Sequence, residues 1–129
     1  MPSRLTCSSI GRVPRWVSWW FRGAAVYGLV VLIPQYFLPP PAGAEVFFYG
    51  FIGTAAAFQF VFWVIGGDPA RYRALMPVGV VEKLAYGVPV LILFANGRAD
   101  ALYVGAAIID LILGVGFFVA WRATPRRKR

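Results

Sequence analysis

Four stretches of this chain are each apolar for about 20 residues, the length a helix needs to cross a bilayer core roughly 30 Å thick. They fall at about residues 17–38, 46–65, 76–95 and 101–121, and only the short connections "PPPAGAE", "GGDPARYRAL" and "NGRAD" separate them. The expected fold class is therefore all-α, an integral membrane four-helix bundle. Composition removes the soluble alternative. With 60% apolar and 14% charged residues in 129, a globule of this size would expose apolar surface it has no polar residues to cover. Lipid as solvent dissolves that difficulty.

Each connection carries breakers suited to its place. Pro39, Pro40 and Pro41 are expected to stop the first helix, because proline has no N–H and clashes with the preceding turn. Asp68 followed by Pro69 reads as an N-cap and first helical position, opening a brief interfacial helix. Asn96-Gly97 suits a left-handed C-cap, and Asp100 an N-cap for the last helix. The expected organisation is a flexible cytoplasmic segment 1–14, a transmembrane domain 15–122 and a basic cytoplasmic tail 123–129. Residues 1–14 have too few apolar groups to bury a face.

Direction follows from Lys and Arg. Arg4, Arg12 and Arg15 precede the first span, Arg71 and Arg73 lie in the second connection, and Arg122, Arg126, Arg127, Lys128 and Arg129 end the chain. The first connection has no basic residue and the third only Arg98. Both termini are thus expected in the cytoplasm, with the protein multi-pass in the cell inner membrane. The five tryptophans agree, since Trp16, Trp19, Trp20, Trp63 and Trp121 all fall at the inner ends of spans, where amphipathic rings anchor. Arg71, Arg73, Arg126, Arg127, Lys128 and Arg129 are the expected lipid-headgroup contacts. A cleaved signal ending in "AGA" is disfavoured, because the apolar stretch is longer than a signal core and cleavage would leave Glu45 opening straight into a span. "LTC" around Cys7 has no apolar run before it, which argues against a lipoprotein anchor. "AVYGLVVLI" from Ala25 aligns with "LAYGVPVLI" from Leu84, a match that an apolar alphabet produces by chance.

Polar residues inside the spans are the informative exceptions. Counted from the inner ends at 1.5 Å per residue, Arg22 lies roughly 7–8 Å in, Gln59 and Glu82 roughly 10 Å, and Asp110 roughly 16 Å. Arg22 and Lys83 would balance Glu82 and Asp110 as a neutral quartet. The third span has eleven Leu, Ile, Val or Phe residues between Leu75 and Phe94, worth roughly 5 kcal/mol on insertion, against a similar cost for Glu82 and Lys83. It needs neighbours. Glu82 and Lys83 diverge by about 100° on a helix, so they cannot both aim at one partner. Tyr86, four residues beyond Glu82, is placed to donate a hydrogen bond to it. Asp110 stands in the small-residue ladder Ala106, Asp110, Gly114, with Ala107 alongside, which suits close helix approach. Lys83 is its expected partner. Pro89 frees the Ala85 carbonyl within a span.

Arg22, Gln59, Glu82, Lys83, Tyr86 and Asp110 are therefore the candidate site, with two readings. The first is interhelical glue in a small membrane scaffold or accessory subunit. The second is a proton- or small-lipophile-binding or transport site built on Glu82, Lys83 and Asp110. The absence of histidine and the single cysteine, Cys7, exclude Cys/His zinc sites, His-based triads and internal disulfides. No catalytic residue, metal or cofactor is expected. The expected partners are the lipid bilayer and either another membrane protein or a second copy. "RRKR" has no folded platform behind it for nucleic acid.

With "GGDPARYRALMPVGVVEKLAYG", Asp110 and "FFVAWR", the chain resembles small bacterial four-span proteins of the DoxX-like kind over roughly residues 17–122. The resemblance implies a compact four-helix membrane bundle. It also implies a quinone-linked oxidoreductase component as a third functional reading, although Cys7 lies outside the bundle.

Overall fold

The computed structural model describes residues 12–126. Arg4, Cys7, Arg127, Lys128, Arg129 and most of the N-terminal segment lie outside the described residues. Four helices follow in order: α1 (Arg15–Leu32), α2 (Glu45–Gly67), α3 (Met76–Ala95) and α4 (Ala101–Ala123). With the 3-10 turns Ile33–Phe37 and Arg73–Leu75 added to α1 and α3, each helical segment is 23 residues long. That is about 34 Å at 1.5 Å per residue, long and apolar enough to cross a membrane.

The helix ends follow local chemistry, with departures from expectation at the end of α1, at Asp68-Pro69, where a turn stands in place of an interfacial helix, and at Asp100. α1 ends at Leu32, before the three prolines, and continues as a 3-10 turn. Pro34 has no N–H for the next helical bond, and the Gln35 Nε2 donates to the Val31 carbonyl at 3.0 Å. Asp68 Oδ1 accepts from the Arg71 N–H at 3.3 Å, closing a turn that leads through Arg73–Leu75 into α3. At the end of α3, Gly97 takes φ +70°, and the Arg98 N–H reaches the Leu93 carbonyl at 2.8 Å. This is the left-handed cap that Asn96-Gly97 suggested. Asp100 has the extended backbone of an N-cap, but its side chain makes no cap bond.

The helices run up and down as two hairpins, α1 with α2 and α3 with α4. The core common to both hairpins sits at the end carrying the tryptophans. Phe21 stacks on Phe117 with centroids 4.3 Å apart, and Phe62 leans on Phe117 at 4.8 Å. Val17, Ala24, Ala25, Ile65, Met76 and Ala120 complete this cluster. Trp20 extends it, donating its indole N–H to the Leu113 carbonyl at 3.1 Å over Gly116, where a Cβ would collide with the indole. Arg73 Nε donates to the Thr124 carbonyl at 2.7 Å and its guanidinium lies over Trp121, tying the α2–α3 connection to the end of α4.

Toward the opposite end the buried cluster Leu32, Ile52 and Ala56 belongs to α1 and α2 alone. Large apolar side chains cover the outside; Phe37, Val46 and Leu102 are each more than 80% exposed.

Candidate functional site

The site begins with the two faces of α3. Met76, Gly79, Lys83 and Gly87, spaced three or four apart, are buried and form one ridge along the helix. Glycine at Gly79 and Gly87 brings the α3 backbone close to Phe117 and Leu111 of α4. Lys83 is carried into the interior on this ridge and is 3% exposed. Its stem rests over Gly114, where an added Cβ would stand 3.1 Å from the Lys83 Cβ. The Nζ then donates to Asp110 Oδ1 at 3.3 Å, the α3–α4 pairing expected from the small-residue ladder that holds Asp110. The ammonium also lies 5.3 Å above the Phe62 ring, within range of a cation–π attraction.

Glu82 occupies the other side of the same turn. Its Oε2 is 3.4 Å from Lys83 Nζ, a charge contact whose direction does not make a hydrogen bond, and this oxygen is buried without a hydrogen-bond partner. Helical divergence keeps Glu82 and Lys83 from sharing a third partner, yet the flexible lysine stem lets the ammonium turn back to its neighbour while holding Asp110. The expected bond from Tyr86 to Glu82 is not made. The Tyr86 ring reaches across to α2 and stacks on Phe51 with centroids 5.7 Å apart.

The neutral quartet is also corrected. Arg22 points to α2 at the tryptophan-rich end, with its guanidinium 4.6 Å over the Trp63 ring and its stem in the space left by Gly66. Its Nε is buried without a partner. Gln59 is 1% exposed; its Nε2 donates to the Ala55 carbonyl of its own helix at 2.9 Å, and its amide packs against Gly28, which has no side chain to obstruct it. Neither residue joins the acidic pair. The charged centre is Glu82, Lys83 and Asp110.

Of the basic residues expected at lipid headgroups, Arg71 is exposed with its guanidinium over Tyr72 and Arg126 is exposed. Arg73 is instead engaged with Thr124 and Trp121.

Beside Glu82 a cavity of about 840 Å³ opens between α2 and α3. Phe51, Thr54 and Phe58 form its α2 wall, and Val81, Ala85 and Pro89 its α3 wall. Arg98, Asp100 and Tyr103 stand where the α3–α4 connection closes one end. Pro89 has no N–H to offer the Ala85 carbonyl, so an acceptor is released from the helix ladder beside Glu82. Sequence reading missed the α2 wall and the connection. Thr54, the one Ser or Thr in α2, was the available signal. A second cavity of about 500 Å³ between α1 and α4 is lined by Trp16, Trp20 and aliphatic side chains of α4, with no charged group. Among the described residues no three His, Cys, Asp or Glu side chains gather as a metal site would require.

Comparison with protein-family models, curated proteins and solved structures finds no match. The chemistry of the cavity must carry the reading. It is a mostly apolar groove whose lining includes the Glu82 carboxylate, Ala85 with its released carbonyl, Thr54 and Tyr86.

Proposed function

We propose that this chain is a multi-pass protein of the cell inner membrane, both termini cytoplasmic, that binds a small lipophilic molecule between α2 and α3. The observation that carries the reading is the cavity of about 840 Å³ with Glu82 in its wall. Small-molecule sites commonly measure roughly 300–1,000 Å³, apolar with a few polar groups to fix orientation. An ionisable side chain retained inside a span at a cost of roughly 2.5–3.5 kcal/mol is itself a reason to expect a function there.

Native mass spectrometry of the protein released from mild detergent tests this. A bound lipophile should appear with the wild type and disappear in Ala85→Trp, whose indole fills the cavity, while helicity and monodispersity are retained. A chain with no adduct and no saturable binding of any added lipophile is not a binder.

A second reading, a scaffold or accessory subunit, draws on the bond between Lys83 and Asp110, which fastens α3 to α4. Co-purification of a stoichiometric membrane partner, undisturbed by Ala85→Trp, would favour it. The quinone-linked oxidoreductase implied by the DoxX-like resemblance stands third, and turnover of an added quinone is its test.

A further inference from the structure

We propose that the occupant of the α2–α3 cavity is a lipophilic ammonium, an apolar body with one cationic head seated against Glu82. This rests on the binding reading above and adds the ligand's chemical class.

Charge balance is the first ground. Glu82 and Asp110 contribute two carboxylates and Lys83 one ammonium. Arg22, the cation that would have closed the set, lies over the Trp63 ring of α2 instead. Among the described residues no second cation forms a salt bridge with either carboxylate. With both carboxylates ionised the centre carries one formal negative charge in excess, in a setting where an unbalanced charge is expensive, and a bound cation would balance it.

Position is the second. Lys83 lies on the buried ridge between α3 and α4, whereas Glu82 belongs to the cavity wall. The carboxylate is thus the charged group offered to a ligand, and the ammonium is held behind it. The same groove is lined by Ala85, whose carbonyl Pro89 releases, by Thr54, and by the stacked rings of Phe51 and Tyr86. Carbonyls, carboxylates and aromatic faces suit an ammonium head. Arg98 and Asp100 at the other end are exposed and of opposite sign, so they add no net charge. The rest of the lining is aliphatic or aromatic and fits a hydrocarbon body.

The test compares three molecules with the same twelve-carbon chain, dodecylamine, dodecanol and dodecanoate, binding to the full chain in phosphatidylcholine nanodiscs with empty discs subtracted. Dodecylamine should bind at least tenfold more tightly than either of the others. Glu82→Gln should abolish that preference, and Glu82→Asp should restore part of it. Thr54→Arg, which brings a cation in from the α2 wall, should abolish the preference with Glu82 intact, so the test stands even if Glu82→Gln fails to fold. Preference for dodecanoate, equal binding of all three, or an amine preference that survives Glu82→Gln would overturn the assignment. Dodecanol binding abolished by Ala85→Trp without any amine preference would overturn the ligand class alone. Absence of saturable binding by all three would remove the binding reading with it.

Discussion

Lys83 serves two carboxylates, and this asymmetry sets the ranking of substitutions. Asp110→Asn leaves the ammonium facing Glu82 at 3.4 Å, so its effect on stability should be small. Lys83→Met leaves two carboxylates facing each other inside the bundle. Removing one partner of a buried pair costs about 3–5 kcal/mol, and the variant should unfold at markedly lower denaturant in an SDS titration. Equal losses for the two variants would show that the ammonium is not the shared partner. Gly116 is a second sensitive position. Its missing side chain is where the Trp20 indole lies on its way to the Leu113 carbonyl. Gly116→Ala should displace that ring, with about 1–3 kcal/mol lost to overpacking and a shift in Trp20 fluorescence. A wild-type spectrum would contradict the contact.

At the scale of elements, α3 shows how a helix with little hydrophobic surplus is built into a bundle. Glycines at Gly79 and Gly87 lower one face onto α4, and Lys83 uses the resulting closeness to reach Asp110. Pro89 interrupts the other face, toward the cavity. Pro89→Ala would return the Ala85 carbonyl to the helix ladder, a gain of about 1 kcal/mol for one net hydrogen bond. Stability should rise while dodecylamine binding weakens, because an acceptor leaves the site. Unchanged values for both would show that the carbonyl takes no part. The ends of the helices were legible in sequence where a single residue decides the backbone, as at Gly97. The end of α1 was not, because Pro34 acts five residues earlier than the proline triplet that drew attention to itself.

For the whole molecule, the hairpins meet in the Phe21, Phe62 and Phe117 cluster, and beyond it the cavity separates α2 from α3. Phe117→Ala removes the ring packed against both others, a loss of about 3–5 kcal/mol for a buried aromatic. Loosening should appear as faster proteolysis of the 68–75 connection in detergent, and wild-type resistance would argue against this cluster as the clasp. The proposed topology has its own check. Alkaline phosphatase fused after Arg129 should be inactive, and the same enzyme inserted within residues 39–44 should be active. The reverse pattern would invert the orientation.

The amino-acid order alone determined four helices and their approximate limits, since hydrocarbon-length apolar runs and Pro/Gly breakers act locally and need no partner to be read. It also put Lys83 and Asp110 in the inner half of adjoining spans, because rise per residue is fixed by helix geometry. Rotation about each helix axis is not fixed that way; it depends on which small residues let which neighbour approach. That is why Arg22 and Gln59, at suitable depths, face other surroundings, and why Tyr86 turns to Phe51. The tertiary structure decided the unequal charge count at Glu82, Lys83 and Asp110 and the chamber beside it, because both arise only when separate helices are set side by side.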